Sequence, residues 1–147
     1  MLKALRTLFD SAVREDRSSH GLQVAAAALL IELGRADYRS DSGEQVAIID
    51  AIRRRSGLRD DELDALIAEA TRSSAQSTSL YEFTSLINEH YSVDDKFALI
   101  LELWRVAAAD GEIEKYEDHL IRRIAELVYV SHSEFIRAKW QVLDAAN

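Results

Sequence analysis

The sequence predicts an all-α, single-domain bundle of about seven or eight helices, built from two pseudo-symmetric repeats. The 147 residues include no Pro and only 5 Gly, so the strongest helix breakers are nearly absent. Apolar residues recur at helical spacing along almost the whole chain, and no segment shows a convincing strand alternation. With 48% hydrophobic and 30% charged residues, a chain of this length is expected to form one domain with a packed core, over residues 1–147.

Capping residues and breaks in the apolar spacing divide the chain into helices. A serine followed three positions later by Glu or Gln can satisfy two N–H groups at a helix start, and this pattern occurs at Ser42, Ser79 and Ser131. The polar stretch 71–78 is predicted to be a linker. The predicted helices span residues 3–15, 20–36, 43–56, 60–71, 80–91, 93–109, 114–129 and 132–145.

Two segments, 24–33 and 97–109, are apolar on most of their circumference. A helix that is hydrophobic nearly all round is usually covered by neighbours on several sides. These two segments are therefore predicted to form the centre of the bundle, with Trp104 in the core.

The charge and the ends of the chain exclude several classes of protein. The 26 acidic and 18 basic residues give a net charge of −8, which repels nucleic acid and argues against it as a partner. There is no Cys, and the N-terminus lacks the apolar region of a signal peptide. The longest apolar run, 24–31, is far shorter than the roughly 20 residues that span a bilayer. A cytoplasmic protein that is not an integral membrane protein is expected.

The chain contains an internal repeat. Asp110 and Glu117 each lie 73 residues after an equivalent acidic residue, Asp37 and Glu44 respectively. Further on, residues 57–63 pair with residues 129–135 at an offset of 72. The predicted repeats cover about 20–71 and 93–145, and a pseudo-two-fold bundle would let the equivalent turns meet near its axis.

The acidic turns are the candidate site. Asp37 and Asp110 follow helix C-termini, where the helix dipole disfavours a carboxylate by up to about 1 kcal/mol. If the turns face each other, several carboxylates come together, and a hard divalent cation such as Ca²⁺, Mg²⁺ or Mn²⁺ would relieve their repulsion. The predicted metal ligands are Asp37, Asp41, Glu44, Asp110, Glu112 and Glu117.

The alternative interpretation is that both turns are solvated helix stops. A nearby cluster, Arg53, Arg54 and Arg55 with Arg59, is interpreted as complementing the dipole at a helix end. The sequence has no metalloprotease, ferritin-type, phosphate-loop, dinucleotide or nucleophile-elbow motif. It therefore gives no positive indication of enzyme activity or of an organic cofactor.

The second turn and the helices that follow it contain the run 106–113, Glu117, the run 120–125 and the run 131–135. These residues resemble the TerB-like family, named for tellurite resistance, and the first turn, from Asp37 to Glu44, looks like the weaker copy of the family's repeat. The resemblance covers about 24–143. This sequence departs from it by having Tyr38 where the second copy has Gly111.

The resemblance implies a cytoplasmic helical bundle of two repeats with an acidic cluster that binds divalent metal, at the six ligands named above. It also implies a link to stress response and to membrane-associated complexes. The leading hypothesis is a non-enzymatic, cation-binding sensor or scaffold with protein partners. The rivals are a protein-interaction module without metal, and an enzyme whose acidic cluster holds a catalytic metal.

Overall fold

The computed structural model describes residues 2–35, 42–109 and 111–145, without the side chains of residues 2–18 and 42–44. Within these residues the chain is all-helical and contains no strand, as the sequence predicts. The described helices are α1 (Leu2–Arg35), α2 (Ser42–Ser56), α3 (Asp60–Gln76), α4 (Tyr81–His90), α5 (Val93–Ala107), α6 (Lys115–Leu127) and α7 (His132–Ala145).

The first two predicted helices are a single helix. The prediction of a break between residues 15 and 20 was wrong, because α1 runs without interruption for 34 residues. Residues 16–19 are polar and interrupt the apolar spacing, but polar residues cost a helix only a few tenths of a kcal/mol each. Gly21, the first glycine in this helix, is also tolerated in its interior.

The predicted linker at 71–78 is also largely helical, since α3 continues to Gln76. One of its polar residues, Ser74, has partners on α1. Ser74 is buried, and its hydroxyl donates to Glu32 of α1 at 2.5 Å and accepts from Arg35 at 3.1 Å. Ser77 caps the end of the helix, and its backbone N–H donates to the Ser73 carbonyl. The polar residue Ser74 thus reflects a contact with α1 and not a loop.

The centre of the fold is formed by the two segments predicted for it. Residues 24–31 and 99–104 are buried throughout, and Trp104 is fully buried. Helix α1 packs against α2, α3, α4, α5 and α6, and α5 packs against α1, α2, α6 and α7. All-round hydrophobicity therefore identified the two central helices correctly.

The helix contacts follow the same order in the two halves of the fold, α1–α3 and α5–α7, which correspond to the two predicted repeats. Helix α1 packs most extensively on α3, and α5 packs most extensively on α7. The middle helix of each half also contacts the first helix of the other half: α2 packs on α5, and α6 packs on α1. This arrangement is compatible with a two-fold repeat, which stays a prediction.

The helix caps agree only in part with the predicted capping boxes. At Ser131 the hydroxyl accepts the Glu134 N–H at 3.3 Å, as expected. The predicted box at Ser79 was wrong. The N-cap position of α4 is Leu80, whose side chain makes no capping hydrogen bond, and the Ser79 hydroxyl accepts the backbone N–H of Tyr81. An additional reciprocal box at Ser92 uses Asp95, and a search for Glu or Gln alone overlooks it. The side chain of Ser42 lies outside the described residues.

A left-handed residue ends a helix at the same position of each predicted repeat. Gly57 follows α2 with φ 66°, and Tyr129, which the repeat pairs with Gly57, follows α6 with φ 61°. A side chain disfavours this conformation by about 1 kcal/mol, which glycine avoids. The ring of Tyr129 is 82% exposed, so packing compensates for little of this strain.

Replacing Tyr129 with glycine is therefore expected to raise the free energy of unfolding by about 1 kcal/mol, by removing the strain at this residue. The matched change, Gly57→Ala, is expected to lower it by a similar amount through the backbone alone, since a Cβ at Gly57 would have no neighbour within 4 Å. Urea denaturation followed by circular dichroism measures both. A loss of stability in Tyr129→Gly would show that the exposed ring stabilises the fold.

Candidate functional site

The second acidic turn connects α5 to α6. Gly111 has φ 95°, a conformation that favours glycine, and its N–H donates to the Ala108 carbonyl at 3.0 Å. The chain then passes through Glu112, which is exposed, to Glu114, the residue that caps α6. The glycine thus reverses the chain directly after the central helix and places acidic residues at the start of the next one.

Glu117 is the buried carboxylate of this turn, with only 1% of its surface exposed. Its Oε1 accepts the backbone N–H of Glu114 at 3.0 Å, which fixes the side chain over the first turn of α6. An anion is favoured at this end of a helix by the dipole and by the unsatisfied N–H groups. The sequence correctly placed Glu117 in the first helical turn but did not indicate that it is buried.

The neighbouring Asp118 is neutralised by two cations. Lys139 of α7 approaches it at 3.0 Å and Arg122 of α6 at 3.3 Å. Partial burial raises the pKa of Asp118, but the hydrogen bonds and charges of Lys139 and Arg122 outweigh this effect and hold the pKa below its ordinary value. Asp118 therefore serves as the ionised link between α6 and α7.

Of the six predicted metal ligands, Glu112 and Glu117 are described with their side chains. Asp37, Asp41 and Asp110 lie outside the described residues, and so does the side chain of Glu44, although its backbone belongs to α2. Among the residues that are described, no group of three or more His, Asp or Glu side chains could hold a metal ion. The six-residue metal site, including the meeting of the two turns, stays a prediction.

A second buried carboxylate, which the sequence analysis overlooked, is Glu102 in the middle of α5. It is 4% exposed and binds Arg54 of α2 through two hydrogen bonds of 3.3 and 2.7 Å. Arg105, one turn along α5, donates to Glu102 at 2.7 Å. As the one acidic residue in the otherwise apolar stretch 97–104, Glu102 could have been recognised from the sequence as a buried group in need of a cation.

This contact adds to the interpretation of the arginine cluster as a complement to the helix dipole, since Arg53, Arg54 and Arg55 lie in the last turn of α2 as predicted. The hydrogen bonding of the Arg54 guanidinium to the Glu102 carboxylate raises the pKa of Arg54; burial lowers it by less, and the charges of Glu102 and Asp50 raise it further. Arg53 pairs with Asp50 and Asp60 on the surface. Arg59 likewise pairs with exposed carboxylates, those of Asp61 and Glu62. Arg53, Arg54 and Arg59 thus balance specific acidic side chains.

The fold and the turn define a class of protein: a small helical domain with two central apolar helices and a glycine turn that presents acidic residues. The chain belongs to the family of the tellurite resistance protein TerB, whose family model matches residues 23–140. This match confirms the resemblance found in the sequence. The comparisons with curated proteins and with solved structures gave no match. Within the described ranges, no helix has the length and apolar character needed to cross a membrane.

Proposed function

We propose that this member of the TerB family is a non-enzymatic, cytoplasmic stress-response protein that binds a divalent cation at its acidic turns. Cation binding lets it act as a sensor or scaffold for protein partners, including a membrane-associated complex. The observation that carries the proposal is the burial of the Glu117 carboxylate within the second acidic turn. Placing a carboxylate out of water is costly, and a cation nearby reduces that cost.

The chemistry of the donor set fits a hard cation. Carboxylate oxygens are the ligands that Ca²⁺, Mg²⁺ and Mn²⁺ prefer, and the turn carries Glu112, Glu114 and Glu117 within six residues. A metal at this turn would hold the end of α5 to the start of α6. The turn would then become more rigid as the cation concentration rises.

The test is calorimetric titration of metal-depleted protein with Ca²⁺, Mg²⁺ and Mn²⁺, together with thermal unfolding. A cation present at 100 times its dissociation constant is expected to stabilise the fold by about 2.7 kcal/mol. Glu117→Gln is expected to weaken binding by about tenfold or more, equivalent to 1.4 kcal/mol. Glu126→Gln, at an exposed position of the same helix, is the control and should bind normally. The absence of heat and of stabilisation with all three ions would contradict the proposal.

A second candidate is a protein-interaction module without metal. It is favoured by two large apolar side chains one turn apart on α2, Val46 and Ile49, which are 57% and 37% exposed. Such a pair is a common anchor for a helical partner. In this case Asp110→Asn combined with Glu117→Gln would leave partner binding unchanged and stability nearly so, in contrast to the loss expected for a cation-dependent scaffold.

A further inference from the structure

A cleft lies between α1, α3 and α4, on residues that belong to neither acidic turn. Its volume is about 420 Å³, within the range of small-molecule sites. The apolar part of its lining comes from Val24 and Ala25 of α1 and from Phe83 and Leu86 of α4. Such a surface is suited to a compact apolar group rather than to an ion alone.

Gly21 is one of the residues that line this cleft. It lies within the long helix α1, where glycine is less favourable than alanine by about 1 kcal/mol, and its φ does not require glycine. A Cβ built at this position would have no neighbour within 4 Å, so a side chain attached here would begin in open space at the wall of the cleft. Neither close packing nor a positive φ requires glycine at this position, and a larger residue here is therefore a way to fill the cleft.

The polar part of the lining includes one acidic side chain. Among the residues whose side chains the structure describes, Glu82, in the first turn of α4, is its one charged residue, and Ser73 and Gln76 of α3 are its neutral polar residues. No Lys, Arg or His among those described side chains forms an ion pair with Glu82. A ligand that places a positive charge beside this carboxylate would gain an attraction, whereas an anion would be repelled.

We propose that this cleft binds a small organic cation, an ammonium group attached to a compact apolar body. The ammonium group lies against Glu82 and the polar side chains of α3, and the apolar body lies on Val24, Phe83 and Leu86. The protein's net charge of −8 favours the approach of such a ligand. The site is independent of the proposed cation site in the acidic turns.

The test is a titration of ¹⁵N-labelled protein with phenethylamine, followed by two-dimensional NMR at neutral pH. The matched probes are 2-phenylethanol, which is neutral, and 3-phenylpropionate, which is anionic. We expect weak binding with chemical shift changes centred on residues 21–25, 73–76 and 82–86. The amine should bind roughly two- to fivefold more tightly than the alcohol, as for an exposed ion pair, and the anion should bind least.

Two variants separate the contributions of shape and charge. Gly21→Leu should fill the cleft and abolish binding of the amine and the alcohol, while circular dichroism shows an intact helical fold. Glu82→Gln should reduce amine affinity to that of the alcohol, whereas the control Glu89→Gln, at an exposed position of the same helix, should leave it unchanged. The proposal is overturned if phenethylamine causes no shift changes in the cleft, if the anion binds as well as the amine, or if Gly21→Leu still binds.

Discussion

Replacing Trp104 with alanine is expected to lower the free energy of unfolding by about 3–5 kcal/mol. The side chain is fully buried in α5, and its ring packs on that of Phe135 with 5.1 Å between the centroids. Its indole Nε1–H also donates to the Phe135 carbonyl at 3.3 Å, and Lys139 lies 5.2 Å from the ring centroid. The substitution therefore removes a large apolar surface, a hydrogen bond and a ring contact between α5 and α7.

Trp140→Ala is the matched control, because this tryptophan lies on α7 with 56% of its surface exposed. It should change the free energy of unfolding by no more than about 1 kcal/mol. Urea denaturation monitored by circular dichroism measures both variants. Similar losses of stability at the two positions would contradict the conclusion that the burial of Trp104 stabilises the fold.

Arg54→Met is expected to destabilise the fold by about 2–3 kcal/mol, a larger effect than its half-exposed side chain suggests. The substitution keeps much of the apolar stem but leaves the buried Glu102 carboxylate with Arg105 as its remaining described cation. A buried carboxylate that loses a two-point guanidinium contact retains most of its desolvation cost. The loss should thus exceed that of an ordinary surface ion pair.

The neighbouring Arg53→Met provides the control, since within the described part of the chain Arg53 forms ion pairs with Asp50 and Asp60, both substantially exposed. Its effect should stay within about 0.5 kcal/mol. In addition, Arg54→Met combined with Glu102→Leu should recover part of the lost stability, because the buried charge is then absent. Failure of the double variant to recover would mean that Arg54 acts through its own packing and not through Glu102.

The sequence could predict those parts of the fold that depend on local spacing. The all-round apolar character of 24–33 and 97–109 identified the two central helices, and Ser131 identified the start of α7. The predicted break after residue 15 and the predicted linker at 71–78 failed for a common reason. Both rested on polar composition alone, and in a chain without Pro a polar segment can remain helical, as Ser74 does by contacting α1.

For the candidate site, the residue types could be predicted but their environments could not. A glutamate in a first helical turn is ordinarily solvated, so the burial of Glu117 depends on packing that local spacing does not record. Lys139, a partner of Asp118, lies 21 residues away, and Arg54, a partner of Glu102, lies 48 residues away. Such pairings require the tertiary arrangement, although an acidic residue within an apolar helix indicates that some partner exists.

The contact between Arg54 and Glu102 also bears on how the chain folds. It joins α2 of the first half to α5 of the second across 48 residues, and α1 meets α5 and α6 as well. In solenoid repeats each unit contacts only its neighbour and can unfold in turn. Here α1 and α5 also pack on each other and on helices of the other predicted repeat, so the burial of each central helix depends on both repeats. Despite the predicted repeat, the bundle should therefore unfold in one cooperative transition.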